Sequence, residues 1–236
     1  MTIVSNDPFE QAFFDFQEGD KKARVIVHNN KGDDENMPVS YFFRSFKEMP
    51  KLEKLALKHC SGKILDIGAG SGCHAIHLQN KGFDITALDI RPGFVEVMKK
   101  QGIKKTVLSD IQKYKEEKFD TLLMLMNGIG FTKDFIGLKK FLASAKELLN
   151  PGGQILLDSS DLLYLYKDEN GSYAINLNES YYGEVEYQVE YKAKKGKPFK
   201  WLFVDFSNLA FYAEEAGFRC ELLFEDENFN YLARLY

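Results

Sequence analysis

From Lys63 onward the chain alternates short apolar runs with longer segments of helical spacing. The apolar runs fall at 63–67, 84–89, 105–108, 119–126 and 153–158, the pattern of buried strands. Between them, 72–81, 92–101 and 134–149 carry apolar residues at the spacing of helices. Asn150-Pro151-Gly152-Gly153 stops the last of these helices and turns into the strand Gln154–Asp158. Strands that alternate with helices predict a parallel sheet covered by helices on both faces.

The flanks differ. Phe9, Phe13, Phe14 and Phe16 give an aromatic N-terminal segment with roughly helical spacing. Arg24 to His28 is a short β-like run, Asn29 to Asn36 is a polar turn region, and Ser40 to His59 reads as helical with Pro50 breaking or starting a helix. In the tail, Glu184 to Tyr191 alternates charged or amide residues with Val and Tyr. Trp201 to Asp205 follows a Lys-Gly-Lys-Pro turn, and the two segments read as an antiparallel hairpin. Ser207 to Ala216 is a helix ended by Gly217, and 218–225 with 229–236 forms a final strand pair. The expected organisation is an N-terminal cap over 1–60 and an α/β domain over 61–236, with a β-hairpin insertion around 181–205. No internal repeat or low-complexity tract interrupts it.

At 236 residues, with 44% hydrophobic and 14% aromatic content, the chain can bury a full core. A net charge of −4 argues against a sequence-independent nucleic-acid binder, which needs a basic field. Cys60, Cys73 and Cys220 are odd in number and far apart, which fits a reducing compartment rather than a disulfide framework. The first residues lack the basic and apolar regions of a signal peptide, and no apolar run approaches a membrane span. A cytoplasmic protein is expected.

The chemistry concentrates at Ile64-Leu65-Asp66-Ile67-Gly68-Ala69-Gly70-Ser71-Gly72. A strand, a glycine turn and a helix start make a nucleotide-binding corner. A dinucleotide loop has the spacing G-x-G-x-x-G and sets a pyrophosphate on the helix N-terminus. Here the spacing is G-x-G-x-G, and Asp66, two residues before the first glycine, would oppose a pyrophosphate. S-adenosylmethionine carries a sulfonium and an ammonium, which a carboxylate favours. Asp89 closes the next strand, where a carboxylate can accept both ribose hydroxyls; this position alone suits NAD equally well. Asp110 follows the third strand, where its side chain or the adjacent backbone can read an adenine edge.

This ordered set resembles the class I S-adenosylmethionine-dependent methyltransferases. The resemblance covers roughly 60–160 and rests on the glycine corner, Ala87-Leu88-Asp89-Ile90, Ser109-Asp110-Ile111 and Leu149-Asn150-Pro151-Gly152-Gly153. It implies a Rossmann-like, seven-stranded, mostly parallel sheet with an antiparallel C-terminal edge hairpin. It also implies S-adenosyl-L-methionine as cofactor, held by Asp66, Gly68, Ala69, Gly70, Gly72, Asp89, Ile90, Asp110, Ile111 and Asn127.

Asn127 follows the fourth strand. Relatives that methylate the amino groups of nucleic-acid bases carry Pro-Pro and an aromatic after this position, and their absence here leaves a small-molecule methyl acceptor as the expectation. Asn127 either orients a substrate or cofactor atom or supplies the turn before Gly128. Tyr41 and Arg44, three apart, either close as a lid with Arg44 clamping a carboxylate, or pack and pair structurally. His74 and His77 lack a third ligand, so no metal is expected. Glu184, Glu186 and Glu190 form an acidic strand face, attractive to a cation or simply solvated. Tyr181, Tyr182 and Trp201 either line an acceptor pocket or pack in the core, while Asp158-Ser159-Ser160-Asp161 opens into the crevice of the sheet. Methyl transfer by direct displacement needs positioning and water exclusion rather than a triad. Two rivals stand beside it: a non-catalytic S-adenosylmethionine-binding module and an NAD(P)-dependent oxidoreductase, whose glycine spacing and catalytic pair are not found here.

Overall fold

The computed structural model describes residues 5–168, 170–173 and 180–236; the opening four residues read above fall outside it. Helix α1 (Pro8–Gln17) is capped by the Asp7 carboxylate and is followed by strands β1 (Arg24–Asn29) and β2 (Glu35–Pro38). A 3₁₀ turn (Val39–Phe43) and helix α2 (Lys51–His59) lead into the alternating region. This runs β3 (Ile64–Ile67), α3 (Cys73–Asn80), β4 (Ile85–Asp89), α4 (Pro92–Lys100), β5 (Thr106–Leu108) and β6 (Phe119–Met124). A second 3₁₀ turn (Gly128–Thr132), α5 (Phe135–Leu148) and β7 (Leu149–Ser160) follow. The tail adds β8 (Glu184–Tyr191), β9 (Lys194–Lys195), β10 (Phe199–Leu202), α6 (Phe206–Glu215), β11 (Cys220–Glu225) and β12 (Asn230–Leu235).

The main sheet has seven strands in the order β11-β12-β7-β6-β3-β4-β5. The strands from β7 to β5 are parallel, and β12 runs antiparallel to both β7 and β11, the expected edge hairpin. Every residue of β3 and β4 is buried, as strands covered on both faces must be. Side-chain alternation divides β3: Leu65 and Ile67 join the core under α5 and α6, while Ile64 joins the core under α2 and α3. Asp66 therefore points into the second core. The strand order reverses between β3 and β6, and ligands of open α/β sheets bind in the crevice beyond such a point.

Two expectations change. Ser40–His59 is not one helical stretch: the 3₁₀ turn ends at Phe43, Arg44 is extended, and α2 begins only after Pro50. Pro50 lacks the N–H an interior helical position needs, and Arg44 turns away to a buried partner. The tail hairpin reverses at Lys192-Ala193, both with positive φ, rather than in the Lys-Gly-Lys-Pro stretch. A two-residue hairpin turn demands that conformation, and here it falls on residues that give no glycine signal. The hairpin also joins a second antiparallel sheet, β10-β8-β1-β2, in which Ile26 lies opposite Glu190.

The N-terminal segment is seated on α4 by aromatic packing. Phe13 lies with its ring centroid 4.5 Å from Phe94, 5.0 Å from Phe42 and 5.3 Å from Phe43. Glu10 accepts the Gly93 N–H at 3.1 Å, and the Gln17 amide donates to the Val97 carbonyl at 3.0 Å. Among the described residues no helix is long and apolar enough to cross a membrane. Phe13 is 1% exposed, so Phe13→Ala is expected to cost about 3–5 kcal/mol in urea unfolding; a loss below about 1 kcal/mol would show that the cap is not packed as part of the core.

Candidate active site

The glycine turn after β3 is pinned to the end of β4. The Gly68 and Ala69 N–H groups donate to the Leu88 carbonyl at 2.9 and 3.0 Å. The Asp89 carboxylate accepts the Gly70 N–H at 2.9 Å through one oxygen and the Arg91 N–H at 2.9 Å through the other. Burial nevertheless raises the Asp89 pKa. Each carboxylate oxygen retains a lone pair for a further donor. Gly68 and Gly70 have φ of +72° and +58°, and a Cβ at either would meet nothing within 4 Å. Their glycines serve the left-handed turn and leave open space above it. Gly72 shares the left-handed φ, at +82°, and has a second role: a Cβ there would strike Ile103 and crowd Met98, so it admits α3 against α4.

Asp66 lies just behind this turn at 2% exposure, and its Oδ2 has no hydrogen-bond partner. Burial pushes its pKa up to about 6. Above it sits a buried ionic group. Glu53 joins Arg44 through Oε1 and the His74 Nε2 through Oε2, the latter at 2.9 Å. Burial acts to raise Glu53, but His74 and Arg44 overcome it and hold the carboxylate below its ordinary value. Burial likewise acts to lower His74, and Cys73, Glu53 and Asp66 together hold it well above. His77 instead stacks on Phe46 at 4.1 Å, and among the described residues no group of three His, Cys, Asp or Glu gathers to hold a metal.

Tyr41 and Arg44 do meet. The guanidinium carbon lies 4.3 Å from the centre of the Tyr41 ring, and the same side chain donates to the Tyr41 carbonyl. Arg44 is thus committed to Glu53 and Tyr41, with only its buried Nε unpartnered. The Ser71 hydroxyl donates to the Phe42 carbonyl, fastening this segment directly to the glycine turn.

At the end of β6, Met126 and Asn127 both have positive φ. Asn127 is locked by its surroundings: its N–H donates to Asp158 at 2.9 Å, its carbonyl accepts the Trp201 indole N–H at 3.0 Å, and its Nδ2 faces the Leu202 carbonyl at 3.3 Å. Its Oδ1 is buried and unpartnered. Trp201 packs directly on Gly130. Tyr181 and Tyr182 are tied to Asp205 and Asp161 at 2.6 and 2.8 Å, and Tyr181 packs against the main core. Of the acidic strand face, Glu190 pairs with His28 across the second sheet, and Glu186 is exposed.

Past β4 and β5, Ile90 and Leu108 are 64% and 55% exposed, apolar surface beside Asp89 and Ser109. Asp110 accepts the Gln112 N–H at 3.0 Å, and the Ile111 side chain belongs to the core, leaving backbone at that position. Glu53, buried 21 residues before His74 in sequence, is the group that sequence reasoning missed. Its only signal is an acid on the buried face of an amphipathic helix.

The folded state holds the Asp66 proton more tightly than the unfolded chain does, so stability falls as pH rises from about 4 to the folded value of about 6 and is level above it. Two pH units correspond to about 3 kcal/mol. Asp66→Asn is therefore expected to raise the unfolding free energy by up to that amount at pH 8 and hardly at all at pH 4. Urea unfolding at both pH values measures this, and an equal change at the two would contradict the assignment.

A family described as a methyltransferase domain matches residues 65–157. The chain is 42% identical to an S-adenosylmethionine-dependent methyltransferase from Bacteroides fragilis solved with S-adenosyl-L-homocysteine; the match covers 100% of this chain and 97% of that one, with a TM-score of 0.91. A Clostridium acetobutylicum S-adenosylmethionine-dependent methyltransferase, 15% identical, shares the fold at a TM-score of 0.60 over 84% of this chain and 94% of its own. The glycine/sarcosine N-methyltransferase of Aphanothece halophytica is 27% identical over 128 residues, 51% of this chain; the match spans about half, 48%, of that relative. With the acid before the glycine turn, the acid closing β4 and a relative matched end to end, the chain belongs to the class I S-adenosylmethionine-dependent methyltransferase family.

Proposed function

We propose that the protein transfers a methyl group from S-adenosyl-L-methionine to a small-molecule acceptor by direct displacement. The observation that carries this reading is the buried Asp66 carboxylate, whose Oδ2 has no partner, just before the open turn of Gly68 and Gly70. A cationic ligand without phosphate fits that pairing, whereas a pyrophosphate would meet a carboxylate where it needs donors.

Asp66 faces the charged methionine end of the cofactor, and Gly68, Ala69 and Gly70 leave room for it. Gly72 supports the turn through its packing. Asp89 accepts from the ribose hydroxyls with its remaining lone pairs, Ile90 covers one face of the adenine, and Asp110 with the Ile111 N–H reads its edge. When bound, the cofactor supplies an electrophilic methyl group on sulfur. The protein contributes orientation and exclusion of water, which suffice for an in-line displacement. Residues 1–60 and the insertion around 181–205 form the cover, with Tyr41 and Arg44 holding it over the crevice and Asn127 shaping the acceptor side. The partial match to an enzyme named for glycine and sarcosine supports a small acceptor, and the acidic charge balance supports it over nucleic acid.

Calorimetric titration is expected to show binding of S-adenosylmethionine and S-adenosylhomocysteine and none of NADH; tight NADH binding without either would end the proposal. Conversion of the cofactor to S-adenosylhomocysteine in the presence of pooled metabolites separates an enzyme from a binding module that does no chemistry. Asp89→Ala should weaken cofactor binding by about 1.5–3 kcal/mol, the worth of a charge-assisted hydrogen-bond pair, and unchanged affinity would remove Asp89 from the ribose site.

A further inference from the structure

A second acid lies at the end of β7. Asp158 is partly buried, and strand alternation places it with Leu156 on the α2 and α3 side of the sheet, the side Asp66 also faces. One of its oxygens accepts the Asn127 N–H at 2.9 Å. The charged and titratable groups around it are Glu53 of α2, His74 of α3, Tyr41 of the cap and Tyr231 of β12. The cation among these, His74, is engaged by Glu53. In Asn127, the residue whose N–H Asp158 holds, the buried Oδ1 has no donor, although every other polar atom of that residue is satisfied.

An ionised carboxylate and an amide oxygen can only accept hydrogen bonds. A hydroxyl or thiol brings one hydrogen and could satisfy one of them. A carboxylate or phosphate acceptor would be repelled by both. An ammonium brings two or three hydrogens and a positive charge, and meets both.

We propose that the methyl acceptor is a primary or secondary amine, held as its ammonium by Asp158 and the Asn127 Oδ1, with Asp158 the catalytic residue that takes its proton. This rests on the methyltransferase reading above. The Asp158 carboxylate removes one N–H proton; the freed nitrogen lone pair forms the N–C bond while the C–S bond breaks, its electron pair staying on sulfur. The products are the N-methylated ammonium and S-adenosylhomocysteine, with the removed proton on Asp158. Burial raises the Asp158 pKa to about 7, close to where a proton acceptor works best near neutral pH.

The test uses methyl-labelled S-adenosylmethionine, the full chain and a small-metabolite extract. Half of the extract is acetylated and then treated with hydroxylamine, which frees hydroxyls and thiols and leaves amines blocked. Label should pass to the untreated half and fall at least about 20-fold in the other. Asp158→Asn should cut transfer by about 10²–10⁴-fold while binding S-adenosylhomocysteine within about threefold of the parent, which also shows that the variant is folded. Transfer that survives acetylation, or an Asp158→Asn variant that transfers normally or loses S-adenosylhomocysteine binding, overturns the proposal. No transfer from either half by a protein that binds S-adenosylhomocysteine overturns the methyltransferase reading, and the amine assignment with it.

Discussion

Carboxylates buried without cations of their own govern this molecule. Asp66 is buried near the end of β3 and Asp158 partly buried near the end of β7, and desolvation holds both above the ordinary carboxylate range. A Lys or Arg placed against them would relieve that penalty and also fill the space a ligand needs. The fold leaves them short of partners and finds its stability elsewhere, in two apolar cores on either side of the sheet and a third beneath the cap. Stability given up at a site in this way is the usual accompaniment of function.

Keeping those acids dry requires a cover that stays in place. Ion pairs are a poor source of net stability in a core, because desolvation consumes most of what attraction returns. The Arg44–Glu53–His74 group is better understood as a fastener: it ties the end of the cap to α2 and α3, next to the acid that must be covered. Ser71 adds a second attachment through the Phe42 carbonyl. Both are polar and directional, so they set where the aromatic cap sits more than how strongly it adheres.

Local pattern made the central region legible. The runs in β3, β4 and β6 are continuous because parallel strands are covered on both faces, and the G-x-G-x-G spacing with Asp66 and Asp89 carried the cofactor in its own chemistry. What stayed hidden depends on partners distant in sequence. Nothing in Ile26 specifies a position opposite Glu190, since a half-exposed strand accepts many partners and its register is set by the assembled fold. Glu53 and His74 were each readable as ordinary helix residues, and only the approach of α2 to α3 makes them a pair. The reversal at Lys192-Ala193 and the left-handed backbone at Met126-Asn127 carry no glycine to announce them. The second of these lies at the candidate site, where tertiary contacts from Asp158 and Trp201 hold a conformation that local preference would not choose.

The second sheet gives these parts a common frame. Trp201 of β10 holds the Asn127 carbonyl, β10 pairs with β8, β8 with β1, and β1 with β2. The chain leaves β2 straight into the 3₁₀ turn that carries Tyr41 and ends at Phe43, just before Arg44. Arg44 then reaches Glu53, and Glu53 reaches His74 over Asp66. Asn127 and Asp66 are therefore braced by one hydrogen-bonded ribbon, in addition to the floor of the main sheet. Arg44 and the indole that holds Asn127 thus belong to one continuous set of contacts. The brace closes through the pairing of β1 with β8, where Ile26 lies opposite Glu190.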